Sequence, residues 1–160
     1  VNAVEKTAPE LDTRDLRARA QEFLGEAVPP RYEIIQQSSH AFSCGLWTLI
    51  ELISVIVRER PDDVPSQVAM AGVGEAQRRL DLIERPGLQG EFERVKRLAR
   101  SVIALCDHHA FLSGMVLCVA CDKPIEPSDD VLPYDQVSPS GGAHRSGRIH
   151  AECAQRVRRH

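Results

Sequence analysis

Four residues near the carboxy-terminal end constrain this chain more than any others. Cys118-Val119-Ala120-Cys121 places two thiols two residues apart, and His150-Ala151-Glu152-Cys153 adds an imidazole and a third thiol. Two thiolates at that spacing reach one metal ion from a tight turn. A histidine and a cysteine three apart, on the first turn of a helix, face the same way. Together they supply the ligands of a closed tetrahedral site, the arrangement of structural zinc. A redox pair at Cys118 and Cys121 is the competing reading, but a thioredoxin-type site needs a βαβ setting, and none surrounds this pair. His144 is a rival ligand, but it lies in a glycine-rich loop outside the two pairs.

The intervening segment fits the same reading. Asp122-Lys123-Pro124-Ile125 reads as the exit of a zinc knuckle, with Ile125 as a core residue beneath it. Val131 to Tyr134 reads as one strand of a hairpin, Gly147 to Ile149 as its return, and Ser138 to Gly142 as its tip. Knuckle, hairpin and a short helix carrying the last two ligands resemble a treble-clef zinc finger; the gap between the pairs is too long for a C2H2 finger. All four positions are filled by protein, so the implied ion is structural and offers no place to a substrate. A module this small draws most of its folding free energy from the metal.

The rest of the chain reads as helices. Aromatic residues make up only 4% of it, and apolar volume supplied mainly by Ala, Leu, Val and Ile favours packed helices over a β-sandwich. A first helix starts at Asp12 or Thr13, one of which caps it, and carries Leu16, Ala20, Phe23 and Leu24 to a stop at Pro29 and Pro30. The second, Tyr32 to Arg58, repeats Ile35, Phe42, Leu46, Leu49, Ile50, Ile53 and Val57 at helical spacing and ends before Pro61. A third follows a cap at Asp62 or Asp63, with Val68, Ala71, Ala76 and Leu80 inward, and Gly72 and Gly74 either weaken it or admit a close neighbour. A fourth runs from about Gln89 to Leu112, with Phe92, Val95, Leu98, Ala99, Val102, Cys106 and His109 inward. Short turns join them, which predicts an up-and-down four-helix bundle. The expected organisation is a flexible arm over 1–12, the bundle over 13–115 and the zinc module over 116–160: a mostly α protein with a treble-clef-like appendage.

A net charge of -3 and a pI near 6.1 argue against a general binder of nucleic acid or anionic membranes. The carboxy-terminal end is nevertheless basic, and Arg145, Arg148, Arg156, Arg158 and Arg159 are candidate nucleic-acid contacts. Asp122, Glu126, Asp129, Asp130, Asp135 and Glu152 nearly cancel their charge. The first residues show no apolar core of a signal peptide. The longest apolar run, Leu46 to Val57, is interrupted by Thr48, Glu51 and Ser54, so no membrane span is expected. Five cysteines, an odd number, fit a metal in a reducing cytoplasm better than a disulfide framework.

Other chemistry-bearing groups weigh less. His40 and Cys44, with Cys106 and His109, make a second Cys2His2 site if their helix faces meet; buried cysteine as a small hydrophobe is the simpler account. Cys106-Asp107-His108-His109 holds the parts of a nucleophilic cysteine site, but neighbours on a helix point to different faces. Asp107 and His108 are then expected in solvent, and His109 satisfied by a backbone carbonyl. Trp47 is expected in the core.

Gly72-Val73-Gly74-Glu75-Ala76-Gln77-Arg78-Arg79-Leu80, and then Arg97-Leu98-Ala99-Arg100-Ser101-Val102-Ile103-Ala104-Leu105-Cys106-Asp107-His108, resemble segments of a family of small helical proteins from actinobacteria, mostly streptomycetes. That family carries the loose label of natural-product biosynthesis proteins. The resemblance covers about Leu49 to Leu112, implies no catalytic residues and leaves the zinc module outside. The expected function is a non-enzymatic, zinc-containing binding or regulatory protein acting through a protein partner or a second copy of itself. The alternatives are a DNA-binding regulator using the basic end, and an enzyme of secondary metabolism with Cys44, Cys106 or His109 lining a bundle pocket.

Overall fold

A computed structural model describes residues 11–83, 86–121, 123, 125–126, 128–137 and 144–157, without the side chains of 136, 137 and 144–146. The expected hairpin tip and nearly all of the expected arm lie outside these residues. The chain divides into two compact units, Val1–His109 and Ala110–His160.

The first unit is built on α1 (Thr13–Gly25), α2 (Tyr32–Glu59), α3 (Val64–Asp81) and most of α4 (Leu88–Leu112). Asp12 caps α1: its Oδ1 accepts from the backbone N–H groups of Arg14 and Asp15 at 3.0 and 3.1 Å, two of the donors a helix start leaves unpaired. Asp63 precedes α3 without a side-chain cap bond, and a proline in the first turn of α3 replaces a donor instead.

Cross-helix contacts fix the topology. At one end of α1, the Cys106 thiol donates to the Thr13 carbonyl at 3.7 Å, and Arg17 pairs with Asp107 at 3.0 Å. At the other end, Lys96 Nζ donates to the Glu26 carbonyl at 2.6 Å and lies over the Phe92 ring, so α1 and α4 run antiparallel. Arg94 of α4 reaches Ser39 near the start of α2, so these two run parallel. Arg79 of α3 bonds to the Arg97 carbonyl and to Ser101 Oγ at 3.3 and 3.0 Å. Gly72, further back on α3, faces His108, further on in α4, so α3 and α4 are antiparallel. The result is an up-and-down four-helix bundle.

Its core is aromatic at one point only. Phe23 meets Phe42 edge-on, with centroids 5.9 Å apart, and tilts against Phe92 at 5.5 Å. Around them Ile35, Leu46, Leu49, Ile53, Val95, Leu98, Val102 and Leu105 are fully buried. Gly45 faces Leu16 where α1 packs on α2, and a Cβ there would force the Leu16 side chain to shift.

Three expectations about burial are corrected. The inner face of α3 is Ser66, Ala69, Val73 and Ala76; Val68 is 52% exposed and Ala71 is also exposed. That face is lined by small residues, so apolarity marked Ala76 rightly but misplaced Val68 and Ala71. Trp47 is 51% exposed, because it falls on the outer stripe of α2 with His40, Cys44 and Glu51. Helix α2 is also the one described helix long and apolar enough to cross a membrane, with 28 residues and a mean hydropathy of 1.7 over 18 of them. The interruptions at Thr48 and Ser54 are softened by hydroxyls folded back onto the carbonyls of Cys44 and Ile50. In the bundle, its inner face is buried.

The second unit contains a two-stranded antiparallel sheet of β1 (Val131–Val137) and β2 (His144–His150), followed by α5 (Ala151–Val157). Val131 pairs with His150 and Tyr134 with Gly147. Cys118, Ile149 and Ala154 form a small core, with Val119, Ile125 and Tyr134 packed against it. Ile125 thus lies where the knuckle reading puts it.

Candidate metal centre

The knuckle is tied to the hairpin by its backbone. The Cys118 N–H donates to the Lys123 carbonyl at 2.8 Å, closing the turn that brings Cys121 round beside Cys118, and the Val119 N–H donates to the Arg148 carbonyl at 3.0 Å. Cys118 and Arg148 form a parallel bridge. Gly147 permits this approach: a Cβ there would stand 2.5 Å from a Val119 methyl. On the far side, the Ala151 N–H donates to the Asp130 carbonyl at 2.8 Å, anchoring the start of α5 to the start of β1.

These ties bring Cys118, Cys121, His150 and Cys153 together, with one ligand atom from each all within 4.8 Å of one another. His150 Nδ1 lies 3.4 Å from Cys121 Sγ and 3.9 Å from Cys153 Sγ. Tetrahedral Zn–S and Zn–N bonds imply ligand separations of about 3.5–3.8 Å, so the cluster is close to ligating geometry and can hold a metal ion. One detail differs from expectation: His150 is the last residue of β2, not part of the helix, and Cys153 is the third residue of α5. The strand-to-helix corner turns both side chains inward.

Burial opposes ionisation of Cys118, but the backbone N–H groups of His150, Ala120 and Cys121 outweigh it and bring the thiol down to about 6. Cys153 is pushed up to about 11 by burial and by the neighbouring sulfurs of Cys121 and Cys118. Three sulfurs this close cannot all ionise against one another; a divalent cation makes every one of them a thiolate.

Sequence reasoning missed Asp129. Its Oδ2 lies 3.4 Å from His150 Nε2 and accepts the Glu126 N–H at 2.8 Å. The sequence shows it only as one acidic residue among several.

The other candidates separate. Cys44 Sγ lies 3.7 Å from His40 Nε2, on the exposed face of α2. Cys106 is buried, and burial, with Asp107 adding to it, pushes its thiol up to about 12. The two pairs do not converge, and the Cys118 cluster is the only metal-ligating group among the described residues. Cys106-Asp107-His108-His109 is likewise dispersed. Asp107 is paired with Arg17 and His108 packs at Gly72, so neither is simply solvated. His109 Nδ1 is buried with no hydrogen-bond partner, contrary to the expected carbonyl bond. Among the proposed nucleic-acid contacts, Arg148 on β2 and Arg156 on α5 are exposed. The side chain of Arg145, and Arg158 and Arg159 entirely, lie outside the described residues.

Fold and site together define a four-helix-bundle protein whose second unit gathers a Cys3His cluster that could hold a metal ion. The bundle carries the family identity: residues 14–114 match the family of unknown function DUF6415, and the chain belongs to that family. No curated protein and no solved structure matches the chain.

Proposed function

We propose that this protein is a non-catalytic binding protein whose second unit is folded by one structural zinc ion held by Cys118, Cys121, His150 and Cys153. The observation that carries the reading is the convergence of four protein ligands of the types zinc prefers. Three thiolates and an imidazole favour zinc over the oxygen-seeking cations, and a site filled by protein keeps no position open for a reactant. The gathering of three of the five cysteines with a histidine in one cluster supports a reducing, cytoplasmic setting, where thiols serve metals rather than disulfides.

A binding role for the bundle is supported by what its surface offers. Trp47, Leu52 and Val55 of α2 are large apolar side chains left exposed, and the nucleophilic groups of α4 are dispersed. The sequence resemblance is the ground for placing the protein in a natural-product setting. Metal analysis of protein purified without added metal tests the central claim. One zinc per chain, lost with Cys121→Ser, supports it; well under one zinc per chain refutes it.

A further inference from the structure

We infer that Asp129 is a positioning residue of the metal centre, holding the His150 ring so that Nδ1, and not Nε2, is the donor to the metal; this rests on the zinc reading above. His150 Nδ1 faces the sulfurs of Cys121 and Cys153, while Nε2 faces away from them, toward Asp129 Oδ2 at 3.4 Å. A neutral imidazole carries one proton. A carboxylate acceptor beside Nε2 keeps that proton on Nε2 and leaves the Nδ1 lone pair for the metal, and it makes the ring a stronger donor.

The carboxylate is itself held. Oδ2 accepts the Glu126 N–H at 2.8 Å, and the Asp129 N–H returns to the Glu126 carbonyl at 3.0 Å. One residue later, the Asp130 carbonyl accepts the N–H of Ala151, directly after His150. Asp129 and Asp130 are therefore fastened both to the His150 ring and to the backbone beside it. Asp129 reaches the metal only through His150, and its contribution should vanish when residue 150 is no longer a histidine.

Zinc affinity of the full chain, measured by competition with a chromophoric chelator, tests this as a double-mutant cycle. Asp129→Ala is expected to weaken binding by about 10–100-fold. Asp129→Asn, which keeps an oxygen acceptor for both Nε2–H and the Glu126 N–H, should recover part of that loss. His150→Cys supplies a fourth thiolate that needs no such partner, and adding Asp129→Ala to it should change affinity by less than about threefold, since coupling is confined to residues in contact. An equal loss from Asp129→Ala in both backgrounds would reduce Asp129 to a turn residue and overturn the inference. A second readout does not depend on the variants folding: nitrogen-15 spectra of the zinc-loaded wild type should show Nδ1 metal-bound and Nε2 protonated, and the reverse pattern overturns the inference. Failure of the wild type to bind zinc overturns the metal reading itself, whereas wild-type affinity in Asp129→Ala removes only the role of Asp129.

Discussion

His150 Nδ1 lies 3.4 Å from Cys121 Sγ, although the two are 29 positions apart in sequence. The contact requires the knuckle to be docked on β2, as the Val119–Arg148 bond and the Cys118–Arg148 bridge hold it. A metal held there would therefore report on the second unit's fold, and each would perturb the other.

Metal binding should release protons. Burial and the neighbouring sulfurs push the Cys153 thiol up to about 11, which favours its protonated form at neutral pH, whereas hydrogen bonds from the backbone bring Cys118 down to about 6 against the effect of burial. Zinc must displace at least the Cys153 proton. Apparent affinity should then rise by about tenfold per pH unit for each proton displaced, more steeply below about pH 6, where Cys118 also takes one up. Calorimetric titration in buffers of different ionisation enthalpy counts the protons; a buffer-independent heat would contradict this account.

Thiol labelling separates the five cysteines. In zinc-loaded protein Cys44, exposed on α2, should react quickly with a thiol reagent. Cys106 should react slowly, because it is buried and its thiol is pushed up to about 12, and the thiolate is the reactive form. The three ligand cysteines should be protected until a chelator is added. The expected sequence is one fast thiol, then three more on chelation, and Cys106 only on unfolding. Four fast thiols in the zinc-loaded protein would mean that the cluster does not hold the ion.

Much of this was legible in sequence. The four residues of the cluster stand out because their spacing suits a short turn and a strand-to-helix corner, local geometry that one sequence displays even though the sequence put His150 on the helix. The bundle was equally visible, since Ile35, Phe42, Leu46, Leu49 and Ile53 repeat with the helical period and are all buried. What escaped was set by tertiary packing. On α3 the inner positions are small, Ser66 among them, and periodicity of large apolar residues pointed to the exposed Val68. Asp129 escaped for a similar reason: only the folded turn brings its carboxylate to His150.

The aromatic contact in the bundle should dominate its stability. Phe42 is 1% exposed and packs edge-on against Phe23. Phe42→Ala should cost about 3–5 kcal/mol through lost burial and the cavity left behind. Trp47→Ala removes a larger side chain but one that is half exposed, and should cost less than about 1 kcal/mol. Chemical denaturation followed by helical circular dichroism ranks the two; a larger loss at Trp47 would place the tryptophan in the core after all.

His109 should make the bundle sensitive to mild acid. Burial holds its pKa below the usual 6.5, and its Nδ1 has no hydrogen-bond partner. As pH falls through about 6.5, the unfolded chain takes up a proton that the folded chain resists, so the unfolded state binds more protons and stability declines. The stability is fully present above that pH and is lost progressively down to the lower, folded-state value. His109→Leu removes the titrating group and replaces an unpaired buried nitrogen with carbon. The variant should therefore gain in unfolding midpoint over wild type, and gain more at pH 5 than at pH 8. The zinc module is the same in both proteins, so its own acid response cancels in the difference. A gain that is the same at both pH values would mean that His109 titrates alike in the folded and unfolded chains.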